Sequence, residues 1–332
     1  MKENSWIEKL QEKSLRGESF SRDEFLSMLA VAPDSEEAAR LGRAAREVAA
    51  AVTGNKARIW AAIGVDYMPC PVNCEFCSFG EKWGIVKEPY AWQDEEVIAM
   101  ARHFLQRGAK WITLRTTEYF PPERLVDMAR KIRQDLPGDY GIVVNTGELA
   151  PETAAMFKEN GINVVYHSLR LREGDQSGIT PEYRLKTLAS VRDSPLALAF
   201  LVEPVGVEHT DDELADVFFT AMEYNAALTG AMARVPVPGT PLGDRYPVLP
   251  EPRLAQLVAA IRLAAGWKAP DICVHPPVKQ ALAWGANVCV VEAGAVPRDT
   301  GHYRQEWQEF TVETASEWFE ECGYELDWGL KR

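Results

Sequence analysis

Apolar positions along the chain follow two rhythms. Up to residue 57 they recur every three or four places, the spacing of helices packed on one face. "SRDEFLSMLAVAP" opens on Ser21 as an N-cap and ends near Pro33, and "DSEEAARLGRAAREVAAAVTGN" carries acids in its first turn and Gly54 after its last. From residue 58 short, near-continuous apolar runs take over: 58–66, 109–116, 140–146, 162–169, 196–203, 231–238, 271–276 and 286–293. Amphipathic segments such as "DEEVIAMARHFLQRG", "PERLVDMARKIRQDL" and "EPRLAQLVAAIRLAAG" separate most of them.

Strands that are apolar throughout are covered on both faces, and strand–helix alternation produces right-handed crossovers and a parallel sheet. Eight such units predict a closed (βα)8 TIM-type α/β barrel over residues 58–332, preceded by a helical extension over 1–57 and finished by the helix in "ETASEWFEECGYEL". No low-complexity stretch divides the 332 residues. In such a barrel chemistry gathers at the C-terminal strand ends. The segments to watch are therefore the cysteine run after the first strand, "TTEYF", "NTGE", "HSLRLREGD", "EPVGVEH", "PVPGTPLGD", "HPPVK" and "EAGAVPRDT".

Charge narrows the partners. With 36 basic and 49 acidic residues the chain carries −13, which repels phosphate backbones and argues against nucleic acid. The charged first residues predict no signal sequence, and the lack of a run of about 18 apolar residues predicts no membrane span. A cytoplasmic location is expected, where thiols stay reduced.

That bears on "CPVNCEFCSFG" (70–80), which holds three of the six cysteines. Soft thiolates point to zinc or an iron–sulfur cluster. A closed zinc site needs a fourth ligand, and the nearest downstream histidine, His103, lies inside an amphipathic helix. A cubane held by three thiolates leaves one iron open to an exogenous ligand.

The C-x3-C-x2-C spacing with Phe76 before the third cysteine resembles the signature of radical S-adenosylmethionine (SAM) enzymes. "GNKARIWAAIGVD", "GTPLGD" and "GAN" are similar to segments of their biotin synthase-like group, over roughly residues 20 to 300. The resemblance implies a [4Fe–4S] cluster on Cys70, Cys74 and Cys77, SAM on its open iron, a 5′-deoxyadenosyl radical after reduction, and an external electron donor such as flavodoxin or ferredoxin. It also implies SAM contacts from Thr116, Thr117 and Glu118, ribose or substrate contacts from Ser168 and Arg170, and adenine contacts from Phe76 and from Val205 and Gly206 in "EPVGVE".

Biotin synthase holds a second cluster on three cysteines and an arginine within its barrel. The corresponding positions here align near Thr113, Val144, Leu198 and Val274, none of which ligates iron. Sulfur insertion would need Cys273, Cys289 and Cys322 to gather instead. Arg115, Arg170, Arg172, His275, Lys279 and Arg298 fall at or just past strand ends and suit a small carboxylated substrate. Glu203 and Glu292 are candidates for a substrate ammonium, and His275 for proton transfer. The expected chemistry is hydrogen abstraction leading to rearrangement or fragmentation. Sulfur insertion, or electron transfer by an iron–sulfur protein without SAM, are the alternatives.

Overall fold

The computed structural model describes residues 5–294 and 306–329. Arg298, one of the expected rim cations, lies outside them. Three helices lead in: α1 (Trp6–Leu15), α2 (Arg22–Leu29) and α3 (Glu36–Thr53). Ser5 and Ser21 cap the first two through reciprocal bonds with Glu8 and Glu24, and Gly54, at φ 60°, ends the third.

Eight parallel strand positions close into a barrel: β1 (Lys56–Gly64), β2 (Ala109–Arg115), β3 (Gly141–Asn145), β4 (Val164–Tyr166), β5 (in two pieces, Ala197–Ala199 and Val202–Val205), β6 (Leu228–Ala233), β7 (Asp271–His275) and β8 (Val288–Gly294). Each pairs with the next, and β8 returns to β1 from Arg58↔Val288 to Gly64↔Gly294. Between and after them run α4 (Asp94–Arg107), α5 (Pro122–Asp135), α6 (Pro151–Glu159), α7 (Pro181–Arg192), α8 (Asp211–Glu223), α9 (Pro241–Arg245), α10 (Glu251–Ala265), α11 (Lys279–Ala283) and α12 (Val312–Glu321).

Of the strand limits that differ from the pattern-based expectation, three have a clear physical reason. β1 starts at Lys56 because Lys56 and Ala57 pair with Glu325 and Leu326, far away in sequence. β6 ends at Ala233, ahead of Pro236 and Pro238, which have no N–H to give a ladder. β5 breaks at Phe200 and Leu201, where Phe200 N–H turns to Leu228 O and Leu201 N–H donates to Ser168 Oγ at 3.1 Å.

Alternate residues of each strand face opposite sides. The inward set includes Trp60, Ala62, Val143, Ala199, Leu201, Cys273, Val288 and Val290, with Trp111, Tyr166 and Met232 against them. The outward set packs under the helices in the main core, which also takes in α1, α2 and α3. Phe25 of α2 stacks on Phe218 of α8 with centroids 4.6 Å apart. No helix among the described residues is long and apolar enough to cross a membrane.

Candidate functional site

The cysteine loop leaves the top of the barrel through a small antiparallel pair, Asp66–Tyr67 with Tyr90–Ala91, which pattern reading did not predict. Its base is pinched by Cys70 N–H donating to Phe79 O (2.6 Å) and Glu81 N–H to Cys70 O (3.1 Å). Two neighbouring loops hold it in place. Glu75 N–H donates to Gln176 O (2.9 Å), Gly178 N–H to Val72 O (3.0 Å), and Leu242 N–H to Glu75 O (3.0 Å). The last bond gives "GTPLGD" a purpose: Thr240 caps α9, and a Cβ on Gly243 would sit 2.1 Å from Val237 O, so only glycine lets the turn close.

Burial pushes all three thiols up, Cys74 to about 12. Thiolates there need positive charge beside them to persist. Among the described residues no group of three His, Cys, Asp or Glu side chains is arranged around a single point. Cys70, Cys74 and Cys77 are all free thiols on one loop, a soft donor set that fits an iron–sulfur cluster. Amide groups of Val72 and Glu118 lie against the Cys70 sulfur and that of Phe79 against Cys77, and such hydrogen bonds support thiolate ligands.

Beside the loop is a buried network that sequence reading missed. Arg184 of α7 pairs through Nη1 with Glu148 (2.6 Å) and through Nε with Glu173 (3.2 Å), and its Nη1 lies 3.6 Å from Glu118. Its Nη2 is buried with no hydrogen-bond partner. Glu118 is largely but not fully buried, its side chain 13% exposed. Burial raises its carboxyl above the ordinary range, and Arg184 and Arg170 only partly counter that. An orphaned guanidinium edge beside an under-compensated carboxylate fits the carboxylate and ammonium of an α-amino acid, the head group of SAM. A Cβ on Gly147 would approach Glu118 O to 1.9 Å, so the glycine of "NTGE" lets this segment close over Glu118.

Phe76 and Cys77 form one wall of a cavity of about 220 Å³ at the barrel mouth. Arg115 Nη1 contacts Glu292 Oε1 at 2.9 Å, with His275 Nε2 3.7 Å from Glu292 Oε2. Opposite, Tyr166 O–H donates to Glu203, whose other oxygen is 3.7 Å from Arg170 Nε. Burial raises the Glu203 carboxyl, although Arg170 opposes it. Burial also works against the Arg170 charge, but Glu173, Cys74, Glu203 and Glu118 surround it and hold its proton firmly. Its guanidinium stands 5.9 Å from the Phe76 ring centroid. Arg234, also missed, lines the cavity while gripping Glu208 at 2.5 and 2.9 Å.

The expected site residues thus divide. Phe76, Cys77, Thr116, Arg170, Glu203 and His275 come together at the cavity, with Glu118 and Cys74 behind it. Thr117 spends its N–H (2.8 Å) and its hydroxyl on Asp66. Ser168 turns to Leu201 at the break in β5. Val205 and Gly206 line a different surface pocket with Pro33 and His209. Arg172 binds Glu213 (2.6 Å) and Lys279 binds Glu321, both away from the cavity.

Cys273, Cys289 and Cys322 do not gather. Cys273 faces into the barrel, Cys289 faces the outer core, and Cys322 caps α12 on the outside. Strand parity also corrects the positions aligned with the second-cluster ligands. Val144, Leu198 and Val274 point outward, and their inward neighbours are Val143, Ala199 and Cys273.

No family model matches the chain. It is 23% identical over 273 residues to the biotin synthase of Persephonella marina, covering 78% of each chain. It is 27% identical over 290 residues to that of Streptomyces avermitilis, covering 84% of this chain and 70% of the other. Its fold is similar to HydG, a maturase of the [FeFe]-hydrogenase, with TM-score 0.80, 16% identity and coverage of 97% of this chain and 76% of the other. It is likewise similar to methylornithine synthase (PylB), with TM-score 0.77, 18% identity and coverage of 96% and 97%.

Proposed function

We propose, from the premise that this chain belongs to the biotin synthase-like group of radical SAM enzymes, that it abstracts hydrogen from a small carboxylated metabolite and directs the outcome to rearrangement or fragmentation of its skeleton. The [4Fe–4S] cluster and SAM of this group supply, when bound, a 5′-deoxyadenosyl radical. Cys70, Cys74 and Cys77 hold the cluster. Arg184 and Glu118 take the carboxylate and ammonium of SAM, and Phe76 shields its adenine. Arg115 and Arg170 orient a substrate carboxylate, each already aligned by a glutamate that the substrate displaces in part. His275, held near Glu292, moves a proton at the reacting group. The electron donor is a flavodoxin or ferredoxin, and the enzyme works in the cytoplasm on a cofactor or amino-acid pathway.

One observation carries this choice of outcome: the inward positions Thr113, Val143 and Ala199 offer no thiolate, leaving Cys273 as the one thiol of the inward cluster among the described residues. The names of the relatives favour sulfur insertion as a second reading. That route needs a second set of soft ligands near the substrate.

The test is anaerobic reconstitution with iron and sulfide, followed by dithionite and SAM. About four irons per chain and release of 5′-deoxyadenosine are expected. About eight irons would transfer the assignment to sulfur insertion. Cys74→Ala should abolish both the cluster absorbance and the nucleoside product, and retention of either would remove the ligand assignment.

A further inference from the structure

Below the mouth cavity lies a second, smaller chamber of about 50 Å³ inside the barrel. The two share Arg115, Asn145, Tyr166, Met232, His275 and Glu292, which form a mostly polar neck between them. Beneath the neck the walls change character. Trp60, Ala62, Leu201 and Val290 line the chamber, and the indole N–H of Trp60 is spent on the Thr113 hydroxyl. The Trp60 ring stands edge-on to Tyr166 and Trp111, with centroids 5.4 and 6.3 Å away, and helps to fix the wall. An apolar cavity whose few polar atoms satisfy one another stays dry and favours apolar guests.

We propose that this chamber receives the apolar end of the substrate, so that the substrate is an amphipathic carboxylate: its acidic head at the neck and a short hydrocarbon or aromatic tail below Tyr166. The inference rests on the radical SAM reading only for which end of the molecule reacts. Arg115 supplies the cation of the neck, paired with Glu292 at 2.9 Å, and His275 lies beside that pair. The buried side chains of Trp60, Ala62, Leu201 and Val290 set the length that the chamber accepts.

The probes are straight-chain alkanoates from butanoate to nonanoate, titrated calorimetrically into the protein without its cofactors. Affinity should rise about fourfold per added methylene and then level off when the chamber is full. Ala62→Leu should bring the plateau to a shorter chain, and Val290→Ala should carry it to a longer one. A flat series, an unbroken rise with length, no binding at all, or a plateau that neither variant moves would overturn the proposal. SAM binding to the reconstituted protein is measured separately. Its loss would remove the radical SAM assignment and leave the chain-length series standing, whereas a flat series beside normal SAM binding would remove the chamber alone.

Discussion

Arg184 shows what one side chain can decide. It is 2% exposed and holds Glu148 and Glu173 while approaching Glu118. Removing one partner from such a network leaves buried charge uncompensated. Arg184→Met should lower stability by about 3–5 kcal/mol in urea unfolding. It should also weaken SAM binding roughly 10- to 100-fold, since a charge-assisted hydrogen bond disappears. Glu118 adds a pH signature. Burial raises its folded-state pKa, so its stabilising contribution is greatest below the unfolded value and is lost as pH rises through the folded one. Binding an ammonium requires the ionised form. SAM affinity should therefore increase as pH rises through the raised folded-state value of this carboxyl, and Glu118→Gln should flatten that rise in calorimetric titrations. The cysteines were legible in the sequence because spacing alone exposes them. Arg184 was not, because an arginine in "PEYRLKTLASVR" resembles solvated helix surface. Its clue was periodic: Arg184, Leu188 and Val191 share one helical face, and all three are buried.

At the scale of elements, loops and caps do the positioning. Arg172 reaches from the loop after β4 to Glu213, the residue that closes the capping box of α8 with Thr210. The side-chain bond from Arg172 is the largest cause holding the Glu213 carboxyl down, at about 2. A depressed carboxyl contributes stability that is present above its unfolded pKa and is lost as pH falls from about 4.5 toward 2. Arg172→Ala should move the acid-unfolding midpoint, followed by circular dichroism, to higher pH within that window. Strand existence was legible from apolar runs, but strand ends were not. The limits of β1 and β5 depend on partners such as Leu326 and Ser168 that no local pattern announces. Only the β6 limit had a local signal, in Pro236 and Pro238. Strand parity mattered more, since a slip of one residue exchanges Val143 for Val144 and turns a barrel-lining side chain outward.

For the molecule as a whole, the leading helices and the barrel share one apolar core. Leu41 of α3 is fully buried in it, and Phe25 joins α2 to α8. Leu41→Ala should cost about 2–5 kcal/mol, and urea unfolding should remain a single transition whether read by far-UV signal or by tryptophan fluorescence. Two separated transitions would show that the extension unfolds independently. Barrel class and the convergence of strand ends were predictable from the alternation of runs. The identity of the cavity walls was not, because Tyr166 and Arg234 lie in runs that read simply as strand.

The three hydrogen bonds from Glu75, Gly178 and Leu242 tie the cysteine loop to segments about 100 and 170 residues downstream. The cysteine loop thus depends for its shape on segments made much later in the chain. With those segments absent, Glu75 N–H and the carbonyls of Val72 and Glu75 lose their partners. A cluster seated on this loop, as proposed, would be expected to load only once the barrel is complete.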